Sequence, residues 1–253
     1  MEARGVLAPA PGSAPALRRV AAQAAMELRL QLRNGEQLLL TLAIPILVLV
    51  VFSVAPVLGV RDRVAFLLPG VIGLAVMSTA FTGQAIATGF DRRHGVLKRL
   101  GATPLGRSGL ILGKTAAMLG VEAIQVVVLG LVALGLGWRP HGSVAGALLL
   151  ILLGTAAFSG LGLLLAGLLR AEATLAAANL VYLVLLVVGG VVFPVSDLPA
   201  AVRGPAELLP ITALTDGLRA ALGEGGLPVR DLVELAVWAV LGAGLASATF
   251  RWE

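Results

Sequence analysis

The sequence predicts an all-α membrane protein. Six transmembrane helices are expected, with an N-terminal interfacial amphipathic helix, a short cytoplasmic helix between spans 2 and 3, and short re-entrant helices between spans 5 and 6. Three observations carry this. Of 253 residues 58% are apolar and only 13% charged, with a mean hydropathy of +0.97. Soluble domains run at roughly 45–50% apolar and about 25% charged, so this chain lacks the polar groups to cover a water-facing surface. The apolar residues also fall in six runs, each near the ~20 residues needed to cross a ~30 Å hydrocarbon core at ~1.5 Å per residue. Finally, the 19 Lys and Arg residues sit between these runs, unequally divided by side. No stretch between runs is long enough to bury its own core, so residues 16–253 form a single membrane domain.

Residues 1–15, with Pro9, Pro11 and Pro15 among small residues, are expected to be a disordered leader. In residues 16–37, Leu17, Val20, Ala24, Leu28 and Leu32 recur at helical spacing against Arg18, Arg19, Glu27, Arg29 and Arg33. That pattern suits an amphipathic helix on the inner leaflet, a solvated basic leader being the plainer alternative. The spans follow at about 38–60, 65–90, 115–138, 142–169, 173–193 and 232–250. Pro45, Pro69, Gly130 and Gly160 inside them are tolerable, because the bilayer makes backbone hydrogen bonds close internally. The first run begins too late and is too long for a signal-peptide core of about 7–15 residues, so it is expected to persist in the mature protein.

Orientation follows from the basic residues. Arg4, Arg18, Arg19, Arg29 and Arg33 precede span 1, and Arg92, Arg93, Lys98, Arg99, Arg107 and Lys114 lie between spans 2 and 3. With Arg170 and Arg251 one side collects 13 of the 19, which predicts both termini to be cytoplasmic.

Two loops carry further information. The cytoplasmic one reads DRRHGVLKRLGATPLGRSGLILGK from Asp91 to Lys114. Val96, Leu97 and Leu100 share one helical face, Arg92, Lys98 and Arg99 lie off it, and Pro104 ends the turn. With no soluble domain beside it, such a helix must dock on lipid headgroups or in a groove on a partner. The outer segment from Pro194 to Arg230 holds Pro194, Pro199, Pro205, Pro210 and Pro228 between apolar stretches too short to cross. It reads as a hairpin dipping into the outer half of the membrane or as an ordinary solvated loop.

Several chemistries are excluded or weak. Zero cysteines remove disulfides, thiolate metal sites and cysteine nucleophiles. The two histidines, His94 and His141, fall in loops on opposite sides, so neither a zinc site nor a shared hydrolytic site forms. The run Gly109 to Thr115 ends like a phosphate-binding loop, but Ser108 stands where G-x-x-x-x-G-K-[ST] requires glycine, and no strand precedes it. Lys114 then reads as a boundary charge facing headgroups, and no ATP is expected to be hydrolysed by this chain. The net charge of +5 carries no basic stripe with interleaved aromatics, so no nucleic-acid partner is expected. Glu122 is the one charge well inside a span: a candidate intramembrane polar site, such as a proton relay, or a shallow residue that snorkels or pairs with Arg107 or Lys114. Gly142-x-x-x-Gly146 and Ala156-x-x-x-Gly160 would permit close helix approach, but 32 glycines make such pairs frequent by chance.

In order and spacing, these features resemble a family. They are Leu32-Arg33-Asn34 before a run containing Ile44-Pro45; Leu68-Pro69-Gly70; Gly95-Val96-Leu97-Lys98-Arg99-Leu100 with Ala102-Thr103-Pro104-Leu105 and Leu112-Gly113-Lys114; Phe193-Pro194 with Leu198-Pro199; and Leu209-Pro210 with Asp216-Gly217-Leu218-Arg219. The chain resembles the transmembrane subunit of an ATP-binding-cassette (ABC) transporter of the type-2 permease class, which contains bacterial antibiotic and drug exporters. The resemblance implies that the loop from Asp91 to Arg107 docks on a separate cytoplasmic ATPase subunit. Arg92, Arg93, His94, Gly95, Val96, Leu97, Lys98, Arg99, Leu100, Thr103 and Pro104 are then the coupling residues. It implies re-entrant helices capping the exit path around Pro194, Pro199, Pro210, Asp216 and Arg219. ATP and magnesium would be bound by the partner, with no cofactor, metal or catalytic site in this chain. It further implies a second copy of the chain, a multi-pass location in a bacterial plasma membrane, and export by alternating access, with antibiotic resistance by efflux as a role. Arg93 and His94 stand where the family usually carries acidic residues, so a more acidic partner surface is expected. Eleven aromatics and no large outer domain tilt the substrate towards a small hydrophobic drug or lipid. The alternative is a proton-coupled secondary transporter relaying through Glu122, although the sequence has no paired inverted repeats.

Overall fold

The computed structural model describes residues 12–55, 62–224 and 226–249, and every regular element among them is a helix. Most of the predicted leader, residues 1–11, lies outside this set. Helix α1 (Ala16–Arg33) stops at Asn34, whose φ of −87° and ψ of 78° break the helix. Helix α2 (Gly35–Val54) starts at once, so the amphipathic segment expected over 16–37 ends at Arg33. The apolar part of α2 is Thr41–Val54, and the predicted first span, 38–60, continues into residues 56–60, which lie outside the described set.

The second predicted span is one 31-residue helical rod from Arg63 to Arg93. At ~1.5 Å per residue it is about 45 Å long, enough to cross a bilayer and project beyond it. It comprises α3 (Arg63–Val76), a π-helical stretch (Met77–Gly83) and α4 (Gln84–Arg93). Asp62 caps its start by accepting from the Ala65 N–H at 3.0 Å. Leu67 to Met77 are all buried, which makes this rod the centre of the bundle.

Helix α5 (Val96–Gly101) follows, then α6 (Gly106–Gly135), α7 (Val144–Leu168) and α8 (Ala171–Val188). Ser143 caps α7 by accepting from the Gly146 N–H at 3.1 Å. Helix α8 ends before Gly189 and Gly190, short of the predicted 193. A 3-10 turn (Val195–Asp197), α9 (Ala200–Glu207), α10 (Pro210–Arg219), a second π turn (Ala220–Glu224) and α11 (Val229–Thr249) complete the chain. Among the described residues five helices are long and apolar enough to cross a membrane: the α3–α4 rod, α6, α7, α8 and α11. Their outward faces carry exposed apolar side chains such as Leu131, Val187 and Val240, which lipid would solvate and water would not.

Small residues set the closest approach. A Cβ on Gly160 of α7 would lie 2.6 Å from the carbonyl carbon of Gly242 in α11, so these backbones touch with no side chain between them. Gly160→Leu is expected to prise α11 away and cost about 1–3 kcal/mol, the usual range for overpacking. An unchanged thermal unfolding midpoint in micelles would contradict this contact.

One end of the bundle gathers three separate chain regions. Leu97 of α5 packs with Leu110 and Ile111 of α6, Leu163 of α7 and Ala246 of α11. Helix α1 runs beside the first half of α6 in the same direction: Gly113 faces the Gln23 side chain and Gly120 faces Leu28. Helices α9 and α10 belong to the opposite end, where α10 packs on α3 through Gly73 and Thr215.

Candidate functional site

The reversal from α4 into α5 depends on Gly95, whose φ of +69° lies in the left-handed region where a Cβ would be strained. That turn sets the apolar face of α5 inward. Leu97 is 1% exposed, and Leu100 and Val96 are half-buried. The shared face read from the sequence is therefore real, but it is covered by the chain's own helices α6, α7 and α11, and needs no lipid or partner groove. What remains outward is polar and small: His94, Lys98, Arg99, Gly101, Ala102, Thr103 and Pro104 are exposed.

Other members of the predicted coupling set hold the turn in place. Arg92 donates to the carbonyls of Gly167, at 3.0 Å, and Leu169, so it caps the C-terminus of α7. Arg93 forms an ion pair with Glu172 in the first turn of α8, and the His94 ring stacks on Phe90 with centroids 6.2 Å apart. The Thr103 hydroxyl donates to the Leu100 carbonyl at 2.6 Å and closes the end of α5. Arg19 of α1 donates to the Pro104 carbonyl, tying the N-terminal helix to the same loop.

Behind this surface lies a buried charge cluster. Lys114, expected to face headgroups, is 2% exposed and bridges Glu27 of α1 at 2.9 Å and Asp91 of α4 at 2.8 Å. Helix α1 lies along α6 and shields Lys114 from solvent, and a shielded ammonium requires carboxylate partners. Gln23 donates to Glu27 at 2.9 Å, extending the cluster.

Deeper in the bundle most polar contacts join uncharged side chains, Glu122 apart. Gln84 donates to the Ser159 hydroxyl at 2.5 Å, and Ser159 also pairs with Thr115 at 2.6 Å. Thr79 donates to Gln125 at 3.1 Å, and Gln125 donates to the Thr41 carbonyl at 3.2 Å. Glu122 is 1% exposed and accepts from Thr155 of α7, while its Oε1 has no partner. It neither snorkels nor pairs with Arg107 or Lys114, because its position on α6 faces α7 and Lys114 is committed elsewhere. Among the described residues no group of three or more His, Asp or Glu side chains could hold a metal ion.

At the opposite end Arg219 staples α10 to its neighbours. Its guanidinium lies 4.3 Å from the Phe66 ring centroid, pairs with Asp216 at 2.8 Å, and donates to the Gly190 carbonyl. Burial pulls this group below its ordinary pKa while the Asp216 carboxylate pushes it back up. Pro210 occupies the first turn of α10, where its missing N–H costs nothing, and Pro199 is the N-cap of α9. Pro194 is the N-cap of the 3-10 turn.

Sequence reasoning looked for charges and so passed over Gln84, Thr79, Gln125 and Ser159, uncharged polar residues inside apolar runs. The one available signal was the polar series at 84, 88 and 91 in an otherwise apolar helix. Residues 20–222 match the family model described as ABC-2 type transporter. The chain is also 29% identical over 194 residues to "Nodulation protein J" of Rhizobium leguminosarum bv. trifolii, a match covering 74% of this chain and 73% of that protein.

Proposed function

The chain belongs to the ABC-2 type transporter family and is a transporter membrane subunit, and from that premise we propose that it is the permease of an ATP-driven exporter whose ATPase is a separate polypeptide. Six spans, the first formed by α2, cross a bacterial plasma membrane with both termini in the cytoplasm. Helix α1 lies at the inner interface, and α9 and α10 re-enter from the outer side over the exit path. Two copies of the chain enclose that path. The cargo is a small hydrophobic drug or lipid, and efflux of it confers resistance.

The observation that carries this reading is the construction of α5. Its apolar face is locked into the bundle by Leu97, its ends are tied by Arg92, Thr103 and Arg19, and a basic face is left outward. A helix so braced transmits a push to α6, α7 and α11. The outward Lys98 and Arg99 suit an acidic groove on the ATPase. Nucleotide binding to the partner can then bias the inward and outward states only through its different affinity for each.

The test is transport in vesicles. With an ATPase partner, solute movement should require ATP and persist when an uncoupler dissipates the proton gradient. The second reading, a proton-coupled carrier, draws on the unpartnered Oε1 of Glu122. Transport by this chain alone that collapses with an uncoupler, and in Glu122→Gln, would replace the first reading by the second.

A further inference from the structure

Between α1, α2, the π-helical stretch Met77–Gly83, α4 and α6 lies a cavity of about 210 Å³. Its lining is divided. Leu38, Met118 and Val121 give it an apolar wall, and Glu27, Asp91 and Lys114 are the charged side chains at it among the described residues. Two carboxylates against one ammonium leave one net negative charge. Lys114 engages Glu27 Oε1 and Asp91 Oδ2, which leaves the second oxygen of each carboxylate unused by that pair. The last turn of α1 also borders the cavity, adding the partial negative charge of a helix C-terminus, while Arg33 of that turn is exposed and does not line it.

An independent observation points the same way. Gln84 is 1% exposed and lines this cavity, and its Nε2 is committed to Ser159. Its Oε1 has no hydrogen-bond partner. A buried acceptor left unpaired is costly, and a donor in the cavity towards which the Gln84 amide turns removes that cost. Neighbouring Thr79 and Gly83 belong to the π-helical stretch, a distortion that recurs at functional sites.

We propose that this cavity binds an organic monocation with an ammonium head and an apolar body. The ammonium donates to the second carboxylate oxygens of Asp91 and Glu27 and, once the Gln84 amide turns towards it, to Gln84 Oε1, and the body lies against Met118 and Val121. A carboxylate ligand meets the net negative charge, and a neutral alcohol leaves that charge uncompensated. The inference goes beyond the permease reading, and it needs no ATPase.

Calorimetry on the full-length protein in maltoside micelles tests it, with hexylammonium as probe and hexanol and hexanoate as size-matched controls. Saturable one-site binding of hexylammonium is expected, at least about tenfold tighter than hexanol, with none for hexanoate. Asp91→Asn should weaken it at least about tenfold, and Gln84→Leu should weaken it in the same direction. Leu38→Trp, which fills the cavity from a half-buried wall position and leaves the charges intact, should abolish binding while the protein stays monodisperse. It therefore carries the test if Asp91→Asn does not fold. Competition by phosphatidylethanolamine identifies the natural ammonium as a lipid headgroup, and lack of competition identifies it as a solute; both uphold the site. Equal affinity for hexanol, binding unchanged in Leu38→Trp, or no saturable binding overturns it.

Discussion

Arg99→Glu is expected to reduce ATP-driven transport by at least about tenfold, with the amount of folded protein unchanged. Each charge pair desolvated at an interface contributes about 1.5 kcal/mol or more, and the reversal also sets a like charge against the proposed acidic surface of the partner. The Arg99 side chain is exposed and off the apolar face of α5, so folding has little to lose. Co-purification with the ATPase and nucleotide-stimulated transport are the measurements. Transport at the unmodified rate would remove α5 from the coupling path. Leu97→Asp would put an unpaired carboxylate at a site 1% exposed among Leu110, Ile111 and Leu163, and the expected result is loss of folded protein. A transport defect in that variant would say nothing about docking.

Lys114→Met is expected to destabilise the protein by about 1–3 kcal/mol, because it strands Glu27 and Asp91, which are 13% and 30% exposed, without their shared cation. Unfolding followed in mixed micelles is the measurement. The triple variant Glu27→Gln, Asp91→Asn, Lys114→Met should recover most of the loss, since replacing a whole buried ion cluster by neutral groups is often close to neutral. A single variant as stable as the unmodified protein would mean that the two carboxylates find water in its place.

The all-helical membrane class and the short helix α5 were legible because hydropathy and the 3.6-residue period are local properties, whereas helix ends such as Arg33 and Val188 were not. What the apolar face of α5 meets was not. Leu97 reaches Leu163 and Ala246, residues far along the chain, and a period identifies a buried face without identifying its cover. Lys114 was misread for the same reason: its depth in sequence suggests an interface, and only the lateral position of α1 turns it into an interior residue. Glu122 was found as a lone charge, whereas its partner Thr155 stands on another helix and carries no charge pattern. The Gly160 pair could not be told from chance among 32 glycines until Gly242 was seen against it.

The bare backbone contact between α7 and α11 has a mechanical consequence. Side-chain layers are where packed helices normally slip and absorb displacement, and at Gly160 and Gly242 there is no such layer. The pair should behave as a single stiff beam, with Leu97 wedged at its foot against Leu163 and Ala246. A shove delivered there would reach the far rim undamped, so gating in this protein should show as whole-body tilting of that beam and scarcely at all as bending within it.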